Sequence, residues 1–324
     1  MKSIFCFSLI LSIFAIEETV GAPKKIALLL KAKENAFYDA ILQGARDRAE
    51  ELQFEIVPQY GKNEDDWQSQ VAYLRSEIKN FDGFVLIPNR SDAFEGVLNE
   101  LKKAAKPVAI VDTPLTRGQD LVLTTISSDN RAGGRLAGKY MVNQIGVEPE
   151  AKGCIALFSG NPNAKTHQDR NTGFKEILKQ ERPDLRIIEY VALSNREKAK
   201  ELTRSHLSQI RKCYGVFAGS DTMILGVLDV FEQSKLREPA VMVGYDAILE
   251  VQKKILESKI RASIQQSPSE MGRTAIDSFA NFFNREPLEK VQIIEPKLAL
   301  QSLKLDGLTD KEFETMTQIR KKSK

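Results

Sequence analysis

Short apolar runs alternate along this chain with longer amphipathic stretches that repeat with a helical period. Each run is continuously apolar and rich in branched residues, which indicates strands buried on both faces of a sheet. Helices between such strands act as crossovers, so the pattern predicts an α/β fold with doubly wound parallel sheets. The predicted strands are Ile26–Leu30, Phe54–Val57, Phe84–Ile87, Val108–Val111, Ile155–Phe158, Ile187–Val191, Val216–Ala218 and Val241–Val243. The predicted helices include Tyr38–Leu52, Asp65–Lys79, Ala93–Ala104, Arg131–Ile145, Arg196–Ile210 and Thr222–Gln233.

The pattern restarts in the second half of the chain, where KGCIALFSG from Lys152 resembles KKIALLL from Lys24. Two Rossmann-like lobes are therefore expected, and their facing strand ends form an interdomain cleft where a ligand binds. We expect residues 24–127 with 267–296 to form the N-terminal lobe, and 128–266 with 297–305 the C-terminal lobe. The lobes are expected to be joined by hinge strands near Thr125–Ser128, Arg261–Gln266 and Pro296–Leu300.

The two ends of the chain differ from this pattern. Met1-Lys2-Ser3 leads into the mostly apolar run Ile4–Ile16 and a small-residue end at Val20-Gly21-Ala22, which indicates that residues 1–22 are a secretory signal peptide. A buried first strand or helix is the alternative. Residues 306–324 have helical spacing and a basic end, which predicts a solvated surface helix or, alternatively, a docking element for a membrane partner.

Composition narrows the class of protein. A chain of 324 residues with 42% hydrophobic residues suits two globular domains and excludes a disordered or collagen-like protein. The 47 basic and 44 acidic residues leave a charge of +3, too small to hold nucleic acid. With three Cys and two His, no metal or cofactor is expected. In an exported protein, Cys154 and Cys213 form either a disulfide or two free buried thiols, and the sequence leaves both open.

Aromatic and amide side chains follow the first predicted strand, and a guanidinium follows the fifth. Phe37 and Tyr38 are adjacent at a strand-to-helix turn, where they either pack beneath a loop or offer a flat face to a ligand ring. Asn35 precedes them and is alternatively the N-cap of the next helix. Arg170 presents a planar set of donors suited to hydroxyls or a carboxylate, unless it pairs with Asp169.

Carboxylates occupy equivalent strand ends in the two halves. Asp112 follows the fourth strand, Asp221 the seventh and Asp246 the eighth. Each is alternatively a turn or helix cap, most of all Asp221. Three carboxylates at one cleft nevertheless favour a polar ligand, and Gln266 lies where the chain crosses back between the lobes.

These segments resemble the type I periplasmic binding proteins of the ribose-binding kind across nearly all of the expected mature chain. The matching segments are ENAFY (34–38), PVAIVDTPLTRG (107–118), SSDNRAGGRLAG (127–138), DRNTGF (169–174), VFAGSDTMILG (216–226), VMVGYD (241–246) and ASIQQSPSEMG (262–272). The resemblance implies two lobes with a multi-strand hinge, a periplasmic location and a ligand held between the lobes. The ligand-binding positions it implies, together with those from the strand-end pattern, are Asn35, Phe37, Tyr38, Asp112, Arg170, Ser220, Asp221, Asp246 and Gln266.

Three positions depart from the ribose-type pattern. Thr113 stands where the pattern has Arg, Ser220 where it has Asn, and Ser194 where it has a second stacking aromatic. Ribose itself is therefore not the expected ligand. Lys31 and Lys33 lie in the first loop, where we expect them to point to solvent rather than to meet an anionic group.

The expected mechanism is a hinged clamp that closes over a small sugar or sugar-like polyol. The function we predict is a soluble, monomeric receptor that delivers this ligand to the permease of an ABC importer. The alternative is a signalling co-receptor, similar to the autoinducer-2 receptors, that engages a membrane histidine kinase. A transcription repressor of the same fold is disfavoured because a signal peptide stands where its helix-turn-helix would be. Catalysis is not expected, since His167 and His206 have no recognisable partners.

Overall fold

Twelve strands form two six-stranded sheets in the computed structural model, which describes residues 22–33, 35–146 and 153–300. The strands are β1 (Lys25–Leu30), β2 (Glu55–Tyr60), β3 (Gly83–Leu86), β4 (Val108–Val111), β5 (Thr124–Ser128), β6 (Cys154–Ser159), β7 (Arg186–Val191), β8 (Gly215–Ala218), β9 (Val241–Asp246), β10 (Ala262–Gln265), β11 (Val291–Ile294) and β12 (Lys297–Ala299). The helices are α1 (Ala36–Glu51), α2 (Trp67–Ser76), α3 (Glu95–Lys103), α4 (Asn130–Ile145), α5 (Lys165–Glu181), α6 (Arg196–Ser205), α7 (Leu207–Ile210), α8 (Asp221–Gln233), α9 (Leu249–Leu256) and α10 (Pro268–Asn284). The predicted signal peptide, except Ala22, and the predicted tail lie outside the described residues.

The two sheets repeat one strand order. The first runs β2-β1-β3-β4-β5-β11 and is parallel throughout. The second runs β7-β6-β8-β9-β10-β12 and is parallel except that β12 pairs antiparallel with β10. We call each sheet with its helices the first lobe and the second lobe. The predicted α/β fold with two doubly wound lobes is confirmed.

The chain passes between the lobes at three places: from β5 to β6, from β10 to β11 and from β11 to β12. The three segments predicted as hinges correspond to β5, β10 and β12, which are hydrogen-bonded sheet strands. The lobe boundaries that we expected in residue numbers stay a prediction.

Each sheet is covered on both faces by apolar side chains. In β1, Ile26, Leu28 and Leu30 belong to one cluster, whereas Ala27 and Leu29 belong to another on the opposite face. The same division holds in the second lobe, whose sheet also lies between two clusters. This two-sided burial explains why the parallel strands are continuously apolar in sequence.

A disulfide joins Cys154 to Cys213, which decides between the two alternatives left open above. Cys154 begins β6, and Cys213 lies just before β8, its neighbour in the sheet. The bridge therefore ties the amino ends of these strands, at the edge of the sheet away from the cleft.

The predicted helix Arg196–Ile210 is wrong in one respect, because it breaks at His206 into α6 and α7. The side-chain Nδ1 of His206 lies 3.0 Å from the carbonyl oxygen of Leu202, and its main-chain N–H bonds the same oxygen. Across the described parts of the chain, no helix combines the length and apolar character needed to cross a bilayer.

Helices α4 and α5 make a close contact that depends on two glycines. A Cβ atom on Gly134 would overlap the carbonyl oxygen of Arg170, and one on Gly173 would overlap that of Arg131. The absence of side chains here lets the two backbones touch. Arg170 is thereby placed against the start of α4, at the edge of the cleft.

Candidate functional site

Polar side chains from both lobes meet at the carboxyl ends of the strands. Gln266 Nε2 donates to Asp246 Oδ1 at 2.6 Å, and Arg170 Nη1 lies 3.6 Å from the same oxygen. Asp112 and Tyr38 of the first lobe are close enough to interact electrostatically with Asp246. The structure therefore brings most of the sequence-predicted residues into one buried cluster.

Lys31 is buried at the first-lobe side of this cluster, and the expectation that it points to solvent is wrong. Only 2% of Lys31 is exposed. Its Nζ lies 3.2 Å from Asp112 Oδ2 and 2.6 Å from Thr113 Oγ1, and Thr113 Oγ1 donates to the same Asp112 oxygen at 2.8 Å. Asp112, in the left-handed region at φ 63°, supplies the charge that makes burial of the ammonium tolerable. Lys33 is exposed, as expected.

Within the described residues, the other oxygen of the Asp112 carboxylate lacks partners of this kind. Asp112 Oδ1 is buried and has no hydrogen-bond partner among the residues that the structure describes. Lys31 and Thr113 thus hold one oxygen of the carboxylate and leave the second as an unsatisfied acceptor.

Tyr38 binds a buried carboxylate that sequence reasoning missed. Its hydroxyl donates to Glu64, with O–O distances of 2.8 and 2.9 Å to the two carboxylate oxygens. Burial raises the pKa of Glu64, and Lys31 opposes that rise. Asn35 is the N-cap of α1, accepting from the main-chain N–H of Phe37 at 3.1 Å. Phe37 packs edge-on against Tyr38 and belongs to the first-lobe core.

Arg170 is held on three sides within the second lobe and is only 3% exposed. Its Nε donates to Asn130 Oδ1 and its Nη1 to the carbonyl oxygen of Gly219, both at 2.7 Å. The guanidinium carbon lies 3.9 Å from the centre of the Tyr245 ring. The alternative pairing with Asp169 is not formed, because Asp169 pairs with Lys165. Arg170 is therefore a rigid cation beside Asp246.

Asp246 ends β9 next to Arg170 and Gln266. Burial raises its pKa to about 7, the Arg170 guanidinium opposes that rise, and Asp112 adds to it. Gln266 is fully buried, and its Oε1 finds no hydrogen-bond partner in the described part of the chain. The cluster thus contains a second unsatisfied acceptor, contributed from the segment after β10.

Asp221 and Ser220 lie at the start of α8, where both oxygens of the Asp221 carboxylate accept hydrogen bonds from the protein. Asp221 accepts from Ser263 Oγ and from the main-chain N–H of Ile248, both at 2.8 Å. Ser220 Oγ lies 2.9 Å from Thr222 Oγ1. The Asp221 carboxylate therefore ties the segments that follow β8 and β9 to each other and to strand β10.

His167 has a partner that the sequence did not reveal. Its Nε2 lies 3.0 Å from Ser194 Oγ, so the expectation that neither histidine is partnered is wrong. Burial lowers the pKa of His167 well below its usual value, and Arg170 adds to that effect. Within residues 22–33, 35–146 and 153–300, Nδ1 of His167 has no hydrogen-bond partner, so no carboxylate orients the ring as in a catalytic triad.

An open cavity of about 850 Å³ lies between the lobes, lined among others by Asn35, Glu64, Ser194 and Arg196. Asp112, Arg170 and Gln266 do not line it, and their side chains are buried. The described residues contain no group of three or more His, Cys, Asp or Glu placed to hold a metal ion.

Lys31 and Glu64 both lie after strand ends of the first lobe, as Asp112 does. The rule that the carboxyl ends of parallel strands share one edge could have identified them. Burial of the two side chains depends on contacts with residues far along the chain, which local sequence does not reveal.

Ionisation of Asp246 is expected to destabilise the unliganded protein as the pH rises from about 5.5 to about 8. The folded state keeps a proton on Asp246 up to a pKa of about 7. In the unfolded chain the same carboxyl has a pKa of ~3.9 and is already deprotonated. The free energy of unfolding therefore falls as the pH rises between these two pKa values. His167, neutral when buried, acts in the opposite direction through its unfolded pKa of ~6.5.

The variant Asp246→Asn isolates this effect because it keeps His167 and the buried carboxyls of Asp221 and Glu64, whose pKa values burial also raises. Urea unfolding at both pH values should show the wild type losing stability relative to the variant at the higher pH. Parallel pH dependence of the two proteins would show that Asp246 has no raised pKa.

Comparison of the sequence with known proteins identifies relatives among periplasmic and sugar-binding proteins. A sequence family described as a periplasmic binding protein domain matches residues 26–286. The ribose import binding protein RbsB of Escherichia coli (strain K12) is 25% identical over 297 residues, which cover 90% of this chain and 97% of that protein. The galactofuranose-binding protein YtfQ of the same strain is 24% identical over 272 residues, covering 81% and 83%.

Solved structures show the same architecture. A periplasmic solute-binding protein of an ABC transporter from Actinobacillus succinogenes 130z, with bound D-allose, superposes with a TM-score of 0.78 at 25% identity. The superposition covers 86% of this chain and 98% of that one. Since the family match spans most of the chain and includes both sheets, this protein belongs to the type I periplasmic binding proteins of the ribose-binding family.

Proposed function

We propose that the protein is a periplasmic solute-binding protein that closes over an uncharged sugar or sugar-like polyol and delivers it to the permease of an ABC importer. A sugar ring has a hydroxyl-rich edge and an apolar face. Asp112, Arg170, Asp246 and Gln266 suit the edge, and the ring of Tyr38 suits the face. The proposed role is binding without catalysis, by a monomer.

The observation that carries this proposal is the pair of buried acceptors, Asp112 Oδ1 and Gln266 Oε1, which lack partners within the described residues. Leaving a buried acceptor unsatisfied costs about 1–3 kcal/mol, so a ligand that donates a hydrogen bond to each is favoured. Sugar hydroxyls can donate to both acceptors. An ionised phosphate or carboxylate only accepts, and it would meet the negative charge of Asp112.

The ligands named for the relatives support the same class. They are ribose, galactofuranose and D-allose, bound by the import or solute-binding proteins described above. Thr113 and Ser194 change two positions of the ribose-type pattern, so we do not propose ribose itself. The alternative of a signalling co-receptor receives no support from these relatives.

The ligand contacts that we propose come from both lobes. Asp221 is assigned a different role, because both of its carboxylate oxygens already bond protein groups that hold the segment after β9 in place. The side chains proposed to contact ligand are Asn35, Phe37, Tyr38, Asp112, Arg170, Ser220, Asp246 and Gln266.

A thermal-shift screen tests the ligand class. A ligand that binds the folded state alone raises the melting temperature, by an amount that grows with its concentration over Kd. We expect stabilisation by at least one of D-allose, D-galactose, D-arabinose, D-tagatose and myo-inositol. The 6-phosphate of a stabilising hexose should produce no shift at the same concentration. Stabilisation by sugar phosphates alone would overturn the proposal of an uncharged ligand.

A further inference from the structure

A second set of contacts joins the two lobes apart from the cluster of proposed ligand residues. Asn161 follows β6 in the second lobe and is only 2% exposed. Its Nδ2 lies 3.3 Å from the main-chain oxygen of Glu64, 3.0 Å from Asp65 Oδ1 and 3.3 Å from the main-chain oxygen of Asn89. All three acceptors belong to the first lobe, so the two N–H groups of one amide are shared among them.

The orientation of this amide is fixed from within its own loop. Asn161 Oδ1 accepts the main-chain N–H of Asn163 at 2.9 Å. With its oxygen engaged there, the amide presents its nitrogen to the first lobe. The donor is thus held in place by its own lobe, which reduces the entropy lost when the lobes meet.

Ser91 of the first lobe adds two bonds to the same loop. Its main-chain N–H donates to the carbonyl oxygen of Asn163 at 3.1 Å, and its Oγ accepts the main-chain N–H of Lys165 at 2.9 Å. Ser91 is itself tied to the first lobe, because its carbonyl oxygen accepts the main-chain N–H of Thr116. The loop from Asn161 to Lys165 is therefore a bonded junction between the lobes.

We propose that Asn161 is a latch, a positioning residue that stabilises the closed arrangement through lobe-to-lobe hydrogen bonds instead of ligand contacts. Opening the cleft breaks these bonds whatever the ligand is. In the closed state without ligand, the unpartnered acceptors of Asp112 and Gln266 act against the latch. The latch thus sets how much of the ligand's binding energy is needed for closure.

The latch also reaches the ligand cluster through Glu64. The main-chain oxygen of Glu64 accepts from Asn161, while its carboxylate accepts the hydroxyl of Tyr38. Closure at the junction therefore fixes the residue that orients the Tyr38 ring. The effect on ligand affinity rests on the function proposed above, whereas the effect on closure does not.

Small-angle X-ray scattering of the unliganded protein tests the latch without any ligand. We expect Asn161→Ala to lower the ratio of closed to open molecules by about tenfold, because the hydrogen bonds that the Asn161 amide donates to the first lobe are lost. The radius of gyration should then exceed that of the wild type. Asn161→Asp, which keeps the Oδ1 acceptor and puts an oxygen against three acceptors, should open the protein further.

Asn163→Ala is the matched control, because Asn163 is exposed and joins the junction through its main-chain oxygen. Its scattering should equal that of the wild type, and circular dichroism should show all variants folded. Identical scattering of Asn161→Ala and the wild type would overturn the latch.

Titration with D-allose and D-galactose gives a second readout. For each of the two that binds, Asn161→Ala should raise Kd by one common factor of about ten, because the latch acts on closure. Different factors for the two sugars would assign Asn161 to ligand contact and overturn the proposal. If neither sugar binds, the proposed function loses support while the scattering result still decides the latch.

Discussion

Replacing Asp246 by Ala is expected to weaken binding of the stabilising sugar by about 2–4 kcal/mol, or about 30- to 1000-fold in Kd. The carboxylate is buried between Gln266 and Arg170, so hydrogen bonds that it accepts from ligand hydroxyls are charge-assisted and shielded from water. Its removal also leaves the Arg170 guanidinium without that neighbouring charge. Isothermal calorimetry at about pH 8, where Asp246 is ionised, measures the loss.

Glu250→Ala is the control for this variant. Glu250 is an acidic residue of the same lobe that lines the open cavity and bonds Arg196 rather than the buried cluster. Its removal should leave the affinity within about twofold of the wild type, because exposed ion pairs contribute little. Unchanged affinity in Asp246→Ala would remove Asp246 from the proposed site.

Removal of the disulfide by Cys154→Ala with Cys213→Ala is expected to lower the free energy of unfolding by about 4 kcal/mol. The bridge closes a loop with a sequence separation of 59 residues, and the chain-entropy relation gives this magnitude for such a loop. Urea unfolding of both proteins measures the difference. An unchanged midpoint of unfolding would contradict it.

The same double variant should keep its sugar affinity, because the bridge lies at the amino ends of β6 and β8 and the proposed ligand residues lie at the carboxyl ends. Thiol titration of the unfolded, unreduced wild type provides the covalent check. Two reactive thiols in that titration would show that the bridge is not formed.

Much of the fold could be predicted because parallel strands buried on both faces leave an uninterrupted apolar signal. β1, β4 and β6 follow that rule. β5 (TTISS) and β12 (KLA) do not, and we could infer them only as hinge segments. β11 lies at a sheet edge with Val291 and Ile293 exposed, so its burial pattern alternates and sequence reasoning missed it.

The candidate site could be predicted where a carboxylate stands at the carboxyl end of a predicted strand, as Asp112 and Asp246 do. It was not predictable where burial depends on a distant partner. Lys31 is buried because Asp112 lies beside it, although 81 residues separate them in sequence. Similarly, His167 acquires Ser194 as a partner through folding alone.

The strands of the two lobes are interleaved along the chain, and this order determines when each sheet can be completed during synthesis. The first lobe starts at β1, yet its edge strand β11 comes after every parallel strand of the second sheet. A chain that stops before Val291 leaves the outer edge of β5 unpaired, and exposed strand edges promote aggregation. The lobe whose synthesis begins first therefore completes its sheet only after all the parallel strands of the second sheet have been made, and neither lobe can be excised as one continuous segment.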